Sequence, residues 1–326
     1  MIIDLDIIVV ISILVAFYVA WSIGANDETM AIAVSTGLAG VGTIVALGAM
    51  MDFFGALFAS ASVEETMGVK LLAFEITEVD IFIILLAIAS WLVLVSYYGW
   101  PASTTHSAVG AAIGLASFKI GFKGVNWSVL GEVMGGWVLS PVIGLIGAYV
   151  FSILIDSLYR KLKVRNLRRD VRILRVAAYV LVLWALYTSY YRGGNDSANA
   201  TAFLLRVYNE PLTVRFIGGV GIALGLIILG RRVVKNVGKE LVELDPLSGL
   251  AVQLSVALIL SIGTILGFPL SGTHILVSAV AGVGLARRLW INVKNLKEII
   301  ITWIITFPGA AVFAILISLL VYAFIY

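Results

Sequence analysis

Two Asn-Asp pairs, Asn26-Asp27 and Asn195-Asp196, sit beside long apolar stretches of this chain. A charge in such a setting costs roughly 2.5–3.5 kcal/mol on membrane-insertion scales, so each aspartate needs a compensating partner. Carboxylate and amide oxygens together form a donor set suited to a hard cation. A second constellation is rich in hydroxyls: Pro101-Ala102-Ser103-Thr104-Thr105-His106 and Pro269-Leu270-Ser271-Gly272-Thr273-His274. Proline interrupts a helix, and a Ser or Thr soon after it caps a new one. A helix N-terminus facing a cavity offers unpaired N–H groups and a partial positive charge, to which the hydroxyls add rotatable donors. Ser103, Thr104, Thr105, Ser271, Gly272 and Thr273 are therefore candidates to hold an anion without Lys or Arg, joined by the amides of Asn26 and Asn195.

Both constellations occur twice at nearly one offset. Gly24-Ala25-Asn26-Asp27 returns as Gly193-Gly194-Asn195-Asp196, 169 positions on, and the Pro-to-His element returns 168 positions on. Glu132, Trp137 and Pro141 find weaker counterparts in Glu298, Trp303 and Pro308. The chain has only two histidines, His106 and His274, and both fall in the repeated element. Fixed-period self-similarity of this kind predicts two homologous halves, 1–155 and 176–326, joined by a basic linker at 156–175.

The elements that must position these residues are membrane helices. Of the 326 residues, 61% are hydrophobic and 13% charged, far from a soluble composition. Windows free of Asp, Glu, Lys and Arg run over 29–51, 81–118, 133–155, 246–286 and 299–326. Crossing the hydrocarbon takes ~20 apolar residues, so with shorter windows near 7–23, 176–191 and 216–230 the expectation is about ten crossings, five per half. The run 81–118 would be ~57 Å long as one helix and must break and turn back, at Gly99 and Pro101; 246–286 breaks likewise at Gly267, Pro269 and Ser271. The expected fold is thus all-α and polytopic, with broken or re-entrant helices.

Charge sets the expected orientation. Residues 156–175 hold eight Lys/Arg against Asp156 and Asp170, which places this linker in the cytoplasm under the positive-inside rule and excludes a nucleic-acid patch as its explanation. Five crossings per half then require the second half to be inverted, with both termini and the acidic stretch 64–80 outside. The first apolar segment opens with Asp4 and Asp6, unlike a cleaved signal peptide. With no cysteine, disulfides, zinc thiolates and thiol chemistry are excluded.

An anion pocket beside two aspartates makes sense when cations sit between them, so the site residues predict co-binding of cation and anion, which is symport. Asp27 and Asp196 are the expected cation ligands, with Asn26 and Asn195. His106, His274 and Asp52, a lone charge within an apolar run, are possible coupling groups. Arg192 and Arg206 flank the second Asn-Asp pair and are expected to snorkel to the interface.

At these residues the sequence resembles the inorganic phosphate transporter family, whose halves each carry Gly-Ala-Asn-Asp-x-x-Asn-Ala and a downstream Pro-x-Ser-x-Thr-His. The second copy fits, from Gly193 to Ala200; the first reads Glu28-Thr29-Met30-Ala31 after Asp27, so Met30 stands where Asn199 stands. The resemblance implies inorganic phosphate as substrate, sodium or protons as driver, and sulfate for some similar members. It also implies Asn199 as a further sodium ligand, with Glu28 as a carboxylate in exchange for the missing amide. The implied setting is the plasma (cell inner) membrane, with membrane lipid, phosphate and sodium as partners and a homodimer as a possible assembly. Sodium is a co-substrate here, and no cofactor is expected. Two other classes fit less well. An intramembrane aspartyl protease needs a Gly-x-Gly-Asp pattern that is absent, so no enzyme is expected, and a cation channel is usually built around an axis along the membrane normal rather than on inverted repeats.

Overall fold

The computed structural model describes residues 5–27, 29–98, 102–163, 167–231, 234, 245–289 and 293–325. These are helical nearly throughout. The first half runs α1 (Leu5–Ala25), α2 (Ala31–Ser35), α3 (Val41–Phe58), α4 (Ala61–Glu64), α5 (Glu78–Tyr97), α6 (Thr104–Lys119) and α7 (Trp127–Leu162). The second runs α8 (Leu167–Thr201), α9 (Pro211–Gly225), α10 (Pro246–Ile265), α11 (Gly272–Arg287) and α12 (Val293–Ile325). Single π-helical turns extend α4 over Glu65–Lys70 and α9 over Leu226–Gly230.

Eight helices among the described residues are long and apolar enough to cross a membrane. The expectation of about ten crossings therefore resolves into eight such helices and two shorter ones, α6 and α11, of 16 residues each. At ~1.5 Å per residue these reach only ~24 Å. Both long uncharged runs do break. Ser103 and Ser271 have extended backbone and accept hydrogen bonds from the backbone N–H of His106 (3.3 Å) and His274 (3.4 Å), the caps their residue types predict. Gly99 and Pro101 lie outside the described residues; Gly267, at φ +79°, adopts the left-handed conformation that glycine allows before the second break.

Each break makes a hairpin that returns to the end it came from. Asp80 in the first turn of α5 pairs with Lys119 in the last turn of α6, and Tyr322 of α12 donates to Asp80 at 2.8 Å. At the other end Arg287, in the last turn of α11, pairs with Asp245, the cap of α10, and with Asp156 of α7. Lys119 and Arg287 are 168 positions apart, as are the hairpins they close. The two clusters lie at opposite ends of α7. This helix starts beside Leu71, whose carbonyl accepts from Asn126, and it reaches Asp156 about 45 Å later.

Contacts between the halves are reciprocal. At the α1–α9 crossing a Cβ on Gly24 would lie 1.9 Å from the Ile222 carbonyl oxygen, and one on Gly225 2.0 Å from that of Trp21. At the α8–α3 crossing Gly193 stands in the same relation to Asp52 (2.2 Å) and Gly55 to Tyr190 (1.8 Å). Likewise α6 packs on α12 and α11 on α7. Gly114 faces Ala311 at 2.3 Å and Gly282 faces Leu145 at 2.1 Å. Without a hydrophobic force between helices in lipid, such close backbone approach is what holds them. The outward faces of α7 and α12 carry Val138, Leu139, Val142, Ile304, Leu316 and Leu320, apolar surface suited to acyl chains.

The basic linker differs from expectation in being mostly helix. Residues 156–162 continue α7 and 167–175 begin α8, leaving three residues, 164–166, outside the described part. Lys and Arg are good helix formers, and Arg160 and Lys161 in the last turn of α7 oppose the helix dipole favourably.

Candidate functional site

The two hairpin tips meet at the centre of the molecule. Thr105 donates to the Leu270 carbonyl at 3.1 Å, and the rings of His106 and His274 lie 4.7 Å apart. Trp137 covers His106 at 3.8 Å and Trp303 covers His274 at 3.5 Å, so four rings form one column built equally from both halves. Trp137 also donates to the Pro269 carbonyl at 2.8 Å, tying α7 to the second tip. The histidines thus stack between the tips, buried at 6% and 3% exposure.

Beside the tips lies an ion cluster that the residue types only half predict. Asp27 and Asp196 do converge, but the group between them is Arg192. Its Nη1 is 3.1 Å from Asp27 Oδ1, its Nε is 3.0 Å from Asp196 Oδ2, and Nη1 also donates to Thr29 Oγ1 at 2.8 Å. All four side chains are buried. Snorkelling, the expectation for Arg192, fails because the residue faces the protein interior four positions before Asp196 on the same helix, where two carboxylates draw it inward. Arg206, in a single 3₁₀ turn after α8, is not part of this cluster. The backbone N–H of Thr29 donates to Asp27 Oδ1 at 2.7 Å, and Gln253 donates to the Thr29 carbonyl at 3.1 Å while accepting from Thr188 at 3.1 Å. Thr29, Thr188, Arg192, Gln253 and Gly272 close together there too tightly to admit a free water molecule.

Asp52 is wholly buried on α3, where it crosses Gly193; among the described residues no N–H or O–H donor reaches its carboxylate oxygens, and the group within hydrogen-bonding reach is the Asp27 carboxyl. Asp27, Arg192 and Asp196 are its electrostatic neighbours. Its counterpart at the α1–α9 crossing is Ile222, so the second half has no equivalent carboxyl.

The asparagines divide into different roles. Asn195 donates to Thr264 Oγ1 (3.0 Å) and the Phe268 carbonyl (2.9 Å), and its Oδ1 accepts from the Leu270 N–H (3.0 Å). Its amide is thereby engaged in holding the α10–α11 break. Asn26 is exposed and donates to the Ser22 carbonyl. Neither lies in the hydrogen-bonded cluster of Asp27, Arg192 and Asp196. Asn199 does reach a tip: its amide donates to Thr104 and Thr105 hydroxyls at 3.3 Å each, while its carbonyl oxygen has no partner among the described residues. At the matching place Met30 is buried and its sulfur accepts from Ser189 at 3.4 Å. Thr273 is half-buried at the second tip, and Glu28 lies outside the described residues.

Arg192, Thr29, Thr188 and Gln253 are members that sequence reasoning missed. One signal existed: position 192 matches Ile23 in the first half, so the arginine is a departure from the repeat placed directly before its most characteristic residues.

A molecule with a buried ion cluster beside two opposed, hydroxyl-bearing helix N-termini, embedded among apolar helices, is built to pass charged solutes. Comparison with known proteins points the same way. A candidate phosphate permease of Pyrococcus furiosus is 31% identical, with 95% of each chain covered. One of Thermococcus kodakarensis is also 31% identical, over 92% of this chain and 94% of its own. The chloroplastic inorganic phosphate transporter 2-1 of Arabidopsis thaliana is 29% identical over 94% of this chain and 70% of its own. A solved sodium-dependent phosphate transporter superposes with a TM-score of 0.86 at 26% identity, covering 97% of this chain and 99% of that one. Residues 23–314 match the phosphate transporter family, and with the paired motifs at the heart of the structure, this chain belongs to it.

Proposed function

We propose that this chain is a secondary active transporter that carries inorganic phosphate across the plasma membrane together with a cation, sodium in the first instance. The observation that carries this reading is the meeting of the two Ser-capped tips beside the Asp27–Arg192–Asp196 cluster. Ser103 and Ser271 accept backbone N–H groups, and each keeps its own O–H to donate to an anion. Thr104, Thr105, Gly272, Thr273 and the Asn199 amide would complete the phosphate site. Asn26 and Asn195 would have to give up their present bonds to join it. Asp27 and Asp196, the cation ligands expected from the sequence, hold Arg192 here, which leaves Asp52 beside them as the coupling carboxylate, and Asn199 offers a carbonyl oxygen that no described residue engages. His106, His274 and Glu28 remain possible coupling groups. The sodium-dependent relative supports sodium as the driver; a proton-coupled phosphate or sulfate permease of the same family is the alternative.

Alternating access follows if the halves are inverted repeats, 1–155 and 176–326. Three features support that organisation: the reciprocal glycine crossings, the hairpins closed at opposite ends of α7, and the shared sequence offset. Both termini would then lie outside and the basic segment inside. Two copies are expected to pair within the lipid, which the mass of the protein in a nanodisc reads directly.

The deciding assay uses purified protein in liposomes. Radiolabelled phosphate should accumulate under an inward sodium gradient and be displaced by arsenate better than by sulfate. Equal uptake with potassium in place of sodium would transfer the coupling to protons, and no uptake under any gradient would remove the transport reading.

A further inference from the structure

We infer that Arg192 is a tethered cation: its guanidinium fills the position between Asp27 and Asp196 that a transported cation would otherwise occupy, so the anion binds here with one travelling cation fewer. The inference rests on the phosphate-transport reading above and specifies its coupling. Three independent observations lead to it. The guanidinium bridges the two aspartates at 3.1 and 3.0 Å, in a cluster where all three side chains are buried. The arginine has no counterpart in the repeat, since Ile23 holds the matching position of the first half. The surroundings are also shaped to it. Gly272 stands where the first tip has Thr104, and a Cβ at Gly272 would lie 3.1–3.3 Å from Arg192 Nε, Cζ and Cδ. Directly after Thr29, which accepts from Arg192, the first half has lost an oxygen ligand, Met30 replacing the amide that Asn199 supplies in the second. An oxygen donor lost and a fixed positive charge gained at one place are complementary changes.

A guanidinium stays protonated at any physiological pH and presents planar donors that match carboxylates. Because it is covalently held, it needs no ion from solution and carries no charge across the membrane. Asp27 and Asp196 are then neutralised before either substrate arrives. By linkage, the number of sodium ions that must accompany phosphate binding falls by the one whose place is taken.

The test measures radiolabelled phosphate binding to the full-length protein in nanodiscs across a range of sodium chloride at constant ionic strength, together with direct binding of radioactive sodium. Arg192→Ile restores the first-half residue. It should steepen the dependence of log affinity on log sodium by about one unit, and lower phosphate affinity about tenfold or more at the low-sodium end. It should also bind about one more sodium ion. Arg192→Lys keeps the charge and should keep the wild-type slope. An Arg192→Ile protein that binds phosphate more weakly at every sodium concentration, with unchanged slope and no added sodium, assigns Arg192 a structural role and overturns the inference. If Arg192→Ile fails to fold, Asp27→Asn decides: the slope should stay at the wild-type value, and a loss of about one unit would show that Asp27 holds a travelling ion. If the wild-type protein binds no phosphate in any salt, the transport reading fails by itself, while the sodium counts of wild type and Arg192→Ile still decide the tethered cation.

Discussion

A carboxyl group inside a membrane protein persists only if something repays its desolvation, and the three aspartates at the centre of this chain do so differently. Asp27 and Asp196 share one guanidinium, so removing it leaves two buried charges close together. Arg192→Ala in sodium-free buffer should therefore lower stability by about 3–5 kcal/mol, read as an earlier unfolding transition in detergent, and sodium should restore part of the loss. Asp52 receives no N–H or O–H donor from the described residues and has the Asp27 carboxyl beside it, which makes it the carboxyl best placed to receive a mobile cation. Asp52→Asn should leave phosphate binding measurable while abolishing the effect of the sodium or proton gradient on uptake; gradient-driven accumulation at the wild-type level would exclude Asp52 from coupling. Asn195 was legible as half of the repeated Asn-Asp pair, but its three bonds to the α10–α11 break depend on residues some 70 positions away. Asn195→Ala strands the Leu270 N–H and should cost about 1–3 kcal/mol.

At the scale of elements, caps and crossings carry the site. Both breaks could be read from proline followed by Ser or Thr, since those preferences are local to the chain. Ser271→Ala removes the cap of α11 and a hydroxyl at the second tip. Phosphate affinity should fall, with about 1 kcal/mol of stability, while sodium affinity in phosphate-free buffer stays nearly unchanged. The glycine crossings are less forgiving. A methyl group on Gly193 would meet the backbone of Asp52, which cannot rotate away, so Gly193→Ala must separate α3 from α8. The expected cost is about 1–3 kcal/mol, with a displaced Asp52 and slower transport. An Ala variant with unchanged stability would mean that the crossing is looser than 2.2 Å implies.

At the scale of the whole molecule, the basic segment and the two closed hairpins set a testable orientation. The chain has no cysteine, so single cysteines report without interference. A cysteine replacing Glu65 should react with an impermeant reagent from outside the cell, and one replacing Arg165 only after the membrane is opened. Reversed labelling would turn the whole topology over without disturbing the reciprocal contacts between the halves.

The sequence by itself determined the membrane class, the paired motifs, the places where long apolar runs break and the residue types that gather at the centre. Each of these follows from local physics: lipid selects uncharged runs, proline and hydroxyl residues end and start helices, and a repeated motif repeats its structure. Only the tertiary structure decided which charges meet. Arg192 is one of 22 basic residues, and nothing local separates an arginine that snorkels from one that bridges two carboxylates. That choice depends on Asp27, 165 positions earlier, arriving at the end of α1 against the face of α8 that carries Asp196. The hairpins likewise close where Lys119 finds Asp80 and Arg287 finds Asp245, pairings made by chain return and not by spacing. Long-range contacts assign partners to charges that the sequence can only enumerate.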